Sequence, residues 1–372
     1  TVSTTVTGVE VGSTMFGARI LENVISGVEN SNTGGWSAAG IILSSTVFPT
    51  NILIANNMIS DVKTINYVVN STFNAAGIRL NGGINTRVYN NSVNLFGDVT
   101  VGTGSSSSYC MYIASSSVNG ADIRNNIFTN TTNFGAAGSI TYSVALSSTL
   151  NPVPQFINNN NYSGASTATT TYRVGYNGSV GFNTLADWRN FTTQDQNSLA
   201  VAPSYVSNTD LHLQSATSFC LDGAGANLNP PVSIDIDCDA RGTTPDIGAD
   251  EITTQLSIAV AETSGVANND GIICAGASAT LTATSGTGYT YLWSQGSTTA
   301  SITVSPATTS TYTVTITQGG CSKTATYTVT VNPLPTPTVA VTETSGIANN
   351  DGITCSGASA TLTASGGTSY LW

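Results

Sequence analysis

The sequence predicts an all-β chain, a parallel β-helix followed by tandem β-sandwich repeats. Three observations predict it. The composition favours strands and turns. Residues 1 to about 180 carry two apolar ladders with one shared period. The stretch from about 254 onward repeats itself at a longer interval.

Only 8% of the 372 residues are charged, against roughly 25% in an average soluble protein. Yet 40% are hydrophobic, so the composition is not that of a disordered chain. Ser, Thr, Asn and Gly supply the polar share. Thr and Val suit pleated surfaces, and Asn and Gly suit turns. With 9 basic and 20 acidic residues the net charge is -11. That argues against nucleic-acid binding, which needs cationic patches, and against docking on anionic membranes. It is compatible with binding divalent cations. No apolar run approaches the roughly 18 residues of a spanning helix. No basic leader precedes the strand-like start, and Trp372 falls inside a repeat, so both ends read as cuts through a longer protein.

The first ladder is apolar-x-x-Asn-x-apolar. Its copies centre on Asn23, Asn57, Asn91, Asn126 and Asn160, in steps of 34, 34, 35 and 34 residues. The second reads small-apolar-x-apolar and begins at Gly8, Gly40, Gly77, Cys110 and Ser143. Two ladders of one period imply one coil per repeat, with at least two strands in each. Alternate strand residues point inward, and coils stack about 4.8 Å apart. Such repeats stabilise one another only by stacking. The aligned Asn residues admit two readings. One is an exposed glycan-binding stripe. The other is an internal ladder at a coil corner, with amides bonded between coils and left-handed backbone tolerated. Cys110 stands in the small-residue slot and reads as a buried thiol.

From about 182 to 253 the coil pattern gives way to three blocks. They contain Leu185, Trp188, Asp195 and Ser198, then Pro203, Leu213, Ser215, Asp222 and Gly223. The last holds Asp235, Asp237, Asp239, Arg241, Asp246, Ile247, Gly248, Ala249 and Glu251. These blocks resemble the C-terminal end of right-handed parallel β-helix proteins of the pectate-lyase-like, choice-of-anchor Q type. The resemblance implies a β-helix over 1–253, capped by about 182–253, and secretion. It does not imply lyase activity. Cys238 departs from the family, which usually has Gly there.

Six of the 20 acids fall between Asp235 and Glu251. Asp235, Asp237, Asp239 and Asp246 match positions 1, 3, 5 and 12 of a calcium loop, although Ala240 replaces the turn Gly and Asp246 the usual Glu. The alternative is a capping loop in which Arg241 neutralises two aspartates. A Cys220–Cys238 disulfide would staple this block in an oxidising setting.

Residues 259 to 293 recur at 340 to 372, with Glu262, Asp270 and Cys274 each matched 81 residues on by Glu343, Asp351 and Cys355. One unit spans 254–332. A stiff proline-rich linker and the start of a second, truncated unit fill 333–372. Alternating runs such as TYTVTIT read as short antiparallel strands. A Cys, a Trp and a Tyr-x-Val-x-Ile strand suggest an immunoglobulin-like sandwich, with Trp293 in the core and Tyr312 at its corner. The array is similar to the immunoglobulin-like or PKD-like repeats of large adhesins secreted by the type IX system. Cys274 and Cys321 are the two cysteines of the complete unit and its expected disulfide, although each lies outside its strand. Asn268-Asn269-Asp270-Gly271 reads as a tight turn, or as a calcium site through Asn268 and Asp270 with Glu262.

Catalysis is not expected. His212 is the only histidine, and the acids of the coil region fall at different phases of the repeat. Hydrolysis of a glycan needs paired carboxylates at a set separation. The expected role is a structural or adhesive segment of a secreted cell-surface protein. The alternative is a β-helix that binds or degrades polysaccharide. Expected partners are surface polysaccharide or copies of the chain itself, with calcium the expected ion. A glycan binder should carry aromatics in register on one face, and Tyr112 and Tyr142 are the candidates.

Overall fold

In the computed structural model the described residues are 5–12, 14–31, 37–45, 50–65, 75–99, 104–147, 156–215, 217–229, 231–253, 256–265, 267–286, 288–318 and 321–372. The chain divides into two compact units, the first built from Thr1–Gln255. Among the described residues, no helix is long and apolar enough to cross a membrane.

The first unit is a parallel β-solenoid. Strands Val6–Val11, Ala38–Leu43, Ala75–Leu80, Ser107–Ile113, Ser139–Leu146 and Thr170–Tyr176 stack in parallel into one long-strand sheet. Two five-stranded sheets complete each coil. One runs from Arg19–Leu21 to Phe156–Asn158, the other from Val24–Ile25 to Asn161–Gly164. The register puts like on like. Ile20, Ile54, Val88, Ile123 and Ile157 form one inward column. Ile25, Ile59, Val93, Phe128 and Tyr162 form another. With Ile41, Ile78, Met111 and Val144 they make one continuous core.

The small-residue slot has a steric cause. A Cβ on Gly77 would sit 2.3 Å from Val93 Cγ1 and 2.7 Å from the Cys110 carbonyl oxygen. In the next two coils the slot admits a polar atom. Cys110 Sγ donates to the Thr129 carbonyl at 3.0 Å, and Ser143 Oγ to that of Phe128 at 2.9 Å. Cys110 is fully buried, and burial pushes its thiol pKa well up.

The five Asn residues form an internal ladder. Asn57 donates its backbone N–H and Nδ2 to Asn91 Oδ1, at 3.1 and 2.8 Å. Asn23, Asn91 and Asn126 repeat the pair of bonds to the next coil. Asn57, Asn91, Asn126 and Asn160 are buried, which removes the exposed-stripe reading. The left-handed residue is not the ladder Asn but the one before it: Glu22, Asn56, Asn90, Asn125 and Asn159 have φ of 57°, 54°, 51°, 60° and 53°. That residue turns the corner and points its side chain outward, and its successor points in.

The segment expected as a cap, about 182–253, divides in two. Helix Leu185–Thr192 closes the end of the core. Thr184 caps it by accepting the Asp187 N–H, and Leu185, Trp188 and Thr192 face inward. The described residues of 199–252 instead lie along the side of the solenoid. The outward Asn column holds them: Asn56, Asn90, Asn125 and Asn159 donate to the carbonyls of Ile234, Asp246, Ala226 and Ala224. Leu213, Leu221 and Ile247 pack on Ile127, and Leu228 on Leu53 and Tyr89.

The second unit contains a three-stranded antiparallel sheet of Ile258–Ala261, Ala279–Ala283 and Ser301–Val304. A four-stranded sheet joins Ile272–Cys274, Cys321–Asn332, Ser310–Gln318 and Thr290–Trp293. Trp293 is buried and its Nε1 donates to the Thr299 carbonyl at 2.9 Å. Tyr312 is half-buried, and its hydroxyl has no hydrogen bond among the described residues, unlike a corner tyrosine. The Cys274–Cys321 expectation fails on distance. Cys274 aligns with Asn332 at the far end of the strand that Cys321 opens. At about 3.3 Å per residue the two are roughly 36 Å apart, and a disulfide spans at most about 7 Å.

Candidate functional site

The acidic block forms a tight turn. Ile234 and Ala240 bridge in antiparallel fashion, and Cys238 takes φ 70° at the tip. The turn uses Asp235 as its internal acceptor. Asp235 Oδ1 takes the N–H groups of Asp237 and Asp239 at 2.9 and 2.8 Å, and Oδ2 that of Glu251 at 2.9 Å. Carboxylate oxygens of Asp235, Asp237 and Asp250 lie within 4.8 Å of one another.

This is not the expected ligand set. Asp239 is exposed and outside the cluster. Asp246 is spent elsewhere: its two oxygens accept the Gly223 and Ile252 N–H groups, both at 2.6 Å. Sequence spacing missed Asp250, because it reaches the cluster through the fold-back of the segment, where Oδ2 also accepts the Leu213 N–H at 2.6 Å. A histidine lies against the cluster. His212 Nε2 stands 3.1 Å from Asp237 Oδ2, and Nδ1 bonds to Asp210. Burial pushes the His212 pKa down, but the Asp210 bond and the charges of Asp237 and Asp210 outweigh it, so the net shift is upward. His212 stands half-buried between the buried Leu211 and Leu213.

Arg241 pairs directly with a glutamate, and the charges of Asp235 and Asp246 also act on it, in keeping with the capping-loop alternative. Its side chain is 1% exposed, and Nη1 meets Glu251 Oε2 at 2.8 Å. Nη2 donates to the Gly248 carbonyl and to Asn56 Oδ1, tying the block to the solenoid. Cys220 is buried and Cys238 exposed, and no disulfide joins them among the described residues.

Burial raises the Asp246 carboxyl from 3.8 to about 7, against the opposing backbone bonds. The fold therefore favours its neutral form. Its stabilising contribution is full below about pH 4 and lost as pH rises to about 7, a swing on the order of 4 kcal/mol. Asp246→Asn should flatten the fall in unfolding free energy between pH 4 and 7. Parallel curves for the two proteins in denaturant titrations would refute this.

The Asn-Asn-Asp-Gly segment is a turn closed by a glutamate. Glu262 accepts the Ser264 and Asp270 N–H groups at 2.9 and 3.0 Å. Asn269 has φ 63° and its Oδ1 accepts the Glu262 N–H. Asp270 Oδ1 caps the Ile272 N–H, and Asn268 is exposed. Glu343 holds Asp351 and Ser345 in the same way. The carboxylate that would anchor a cation is occupied by backbone N–H groups in both copies.

The outer face of the long-strand sheet carries a tyrosine row. Ala76, Tyr109, Tyr142 and Arg173 align in one column, and Arg79, Tyr112, Ala145 and Tyr176 in the next. Tyr109 stacks on Tyr112 and Tyr142 with ring centroids 4.7 and 5.3 Å apart, and Tyr142 meets Tyr176 at 5.2 Å. Tyr112 and Tyr142 are therefore on one face but in different columns. Tyr142 and Tyr109 are buried, and Tyr112 and Tyr176 are half-exposed.

No protein-family model matches the chain, and no curated protein or solved structure matches it either.

Proposed function

We propose that the chain is a non-catalytic structural and adhesive segment of a large secreted cell-surface protein. In this reading a right-handed β-helix is carried on immunoglobulin-like spacer repeats. The observation that supports it most is the spine: five coils share one uninterrupted Asn ladder inside continuous aliphatic columns. That is the build of a stiff rod whose coils stabilise their neighbours. Charged groups of the solenoid unit also serve structural bonds. Lys63 holds Asp61, Arg124 holds Asp122, Arg241 holds Glu251, and His212 lies between Asp210 and Asp237.

The tyrosine row favours a second reading, in which this face holds a polysaccharide. Aromatic faces offer flat apolar area with a polar edge. A polysaccharide panel, screened for binding and for released products with calcium and with chelator, tests both. Binding that is lost in Tyr112→Ala and Tyr176→Ala supports the adhesive reading. Released products would sink the non-catalytic one. No binding leaves the rod, and a melting temperature unmoved by chelator removes calcium.

A further inference from the structure

We infer a separate sugar-ring site at the helix-closed end of the solenoid. Its origin is the register of helix Leu185–Thr192. Leu185, Trp188 and Thr192 take the buried side. Asp187, Asn190 and Phe191, at i, i+3 and i+4, therefore share the other face. The antiparallel strand Gly181–Phe182 runs beside the helix, and Asn183 follows it. Together Gly181, Phe182, Asn183, Asp187, Asn190 and Phe191 line a hollow of about 440 Å³. That lies within the usual range for small-ligand pockets.

The floor is aromatic and its rim polar. Phe182 and Phe191 meet with ring centroids 4.9 Å apart, and Phe191 is 43% exposed. Phe182 is fixed from behind by the Trp188 ring at 5.6 Å. An aromatic pair with one exposed ring fits the apolar face of a pyranose ring. The rim supplies both polarities that hydroxyl groups need. Asn183 and Asn190 each offer amide donors and a carbonyl acceptor, and both are exposed. Asp187 Oδ2 is held by Thr184 Oγ1 at 2.7 Å, and Oδ1 remains for an incoming hydroxyl. The carboxylate disfavours an anionic ligand, and a purely apolar one would strip its water without replacing it. The ligand class is therefore a neutral sugar unit. The site shares no residue with the tyrosine row and does not depend on it.

The test is titration of the chain with methyl glycosides of glucose, galactose and N-acetylglucosamine, followed by Trp fluorescence and by NMR. At least one should bind saturably, with a dissociation constant on the order of 1 mM for so small a ligand. Phe191→Ala should weaken it at least about tenfold, with the melting temperature kept, because the ring is partly exposed. Tyr112→Ala should leave it unchanged. Binding lost in Tyr112→Ala but kept in Phe191→Ala would move the sugar to the tyrosine row and overturn this site. Saturation by tetramethylammonium but by no glycoside would make the hollow a cation site instead, and silence from every probe would also overturn the inference.

Discussion

Asn91→Ala should destabilise the solenoid by roughly 3 to 6 kcal/mol, far more than an average substitution. The change removes bonds in three coils at once. Asn57 loses the acceptor for its N–H and its Nδ2. Asn126 Oδ1 and the carbonyls of Ile54 and Tyr89 lose the Asn91 Nδ2 donor, at 2.9, 3.0 and 3.0 Å. Each unsatisfied buried group costs about 1–3 kcal/mol, and relaxation recovers part of it. Asn91→Asp separates this account from simple packing. The side chain has the same shape, yet it sets a second acceptor against three oxygens in a fully buried place. It should be at least as damaging as Ala at pH 7, and less so at pH 4, where protonation restores a donor. Asn23→Ala, at the half-buried first coil, should cost about 1 kcal/mol. The measurement is the midpoint of the solenoid transition in calorimetry. A mild Asn91→Asp at pH 7 would mean that the ladder is a by-product of stacking and not its support.

The ladder was legible because it repeats. Five Asn residues at one spacing announce a column, and burial follows from the apolar residues flanking each copy. The corner geometry was not legible at the right residue. Four copies carry two Asn in succession, and the sequence does not say which turns outward. That outward Asn column is what anchors residues 199–252, so the side-lying segment was hidden with it. The carboxylate cluster failed for a related reason. A calcium-loop spacing assumes a loop that wraps around an ion, whereas this loop turns around Asp235 and the fold-back delivers Asp250 and His212. The closing helix did leave a signal. Thr184-x-x-Asp187 is a helix N-terminus pattern, and it stands immediately before Trp188, which the helix buries.

Trp188→Ala should cost about 3–5 kcal/mol, the usual range for a fully buried large aromatic. Trp188 is the largest side chain at the closed end of the core, and its ring fills the space where Gly175 has no Cβ: one placed there would sit 2.2 Å away. The indole has a second task. Nε1 donates to Asp195 Oδ2 at 2.7 Å, while Tyr162 and Ser198 hydroxyls serve Oδ1. Burial raises the Asp195 pKa in spite of these donors. Trp188→Phe keeps most of the packing and removes one donor, for about 1–3 kcal/mol. The two tasks separate by pH. A raised folded pKa means that Asp195 contributes fully at low pH and opposes folding as pH rises through its folded value. Losing the Trp donor raises that value further, so the Trp188→Phe deficit should grow as pH rises above the ordinary carboxylate range, while the packing part of Trp188→Ala should not change. A deficit flat with pH would assign the whole effect to packing. A loss below about 0.5 kcal/mol in Trp188→Ala would mean that the helix does not close the core, and that the coils hold their end without it.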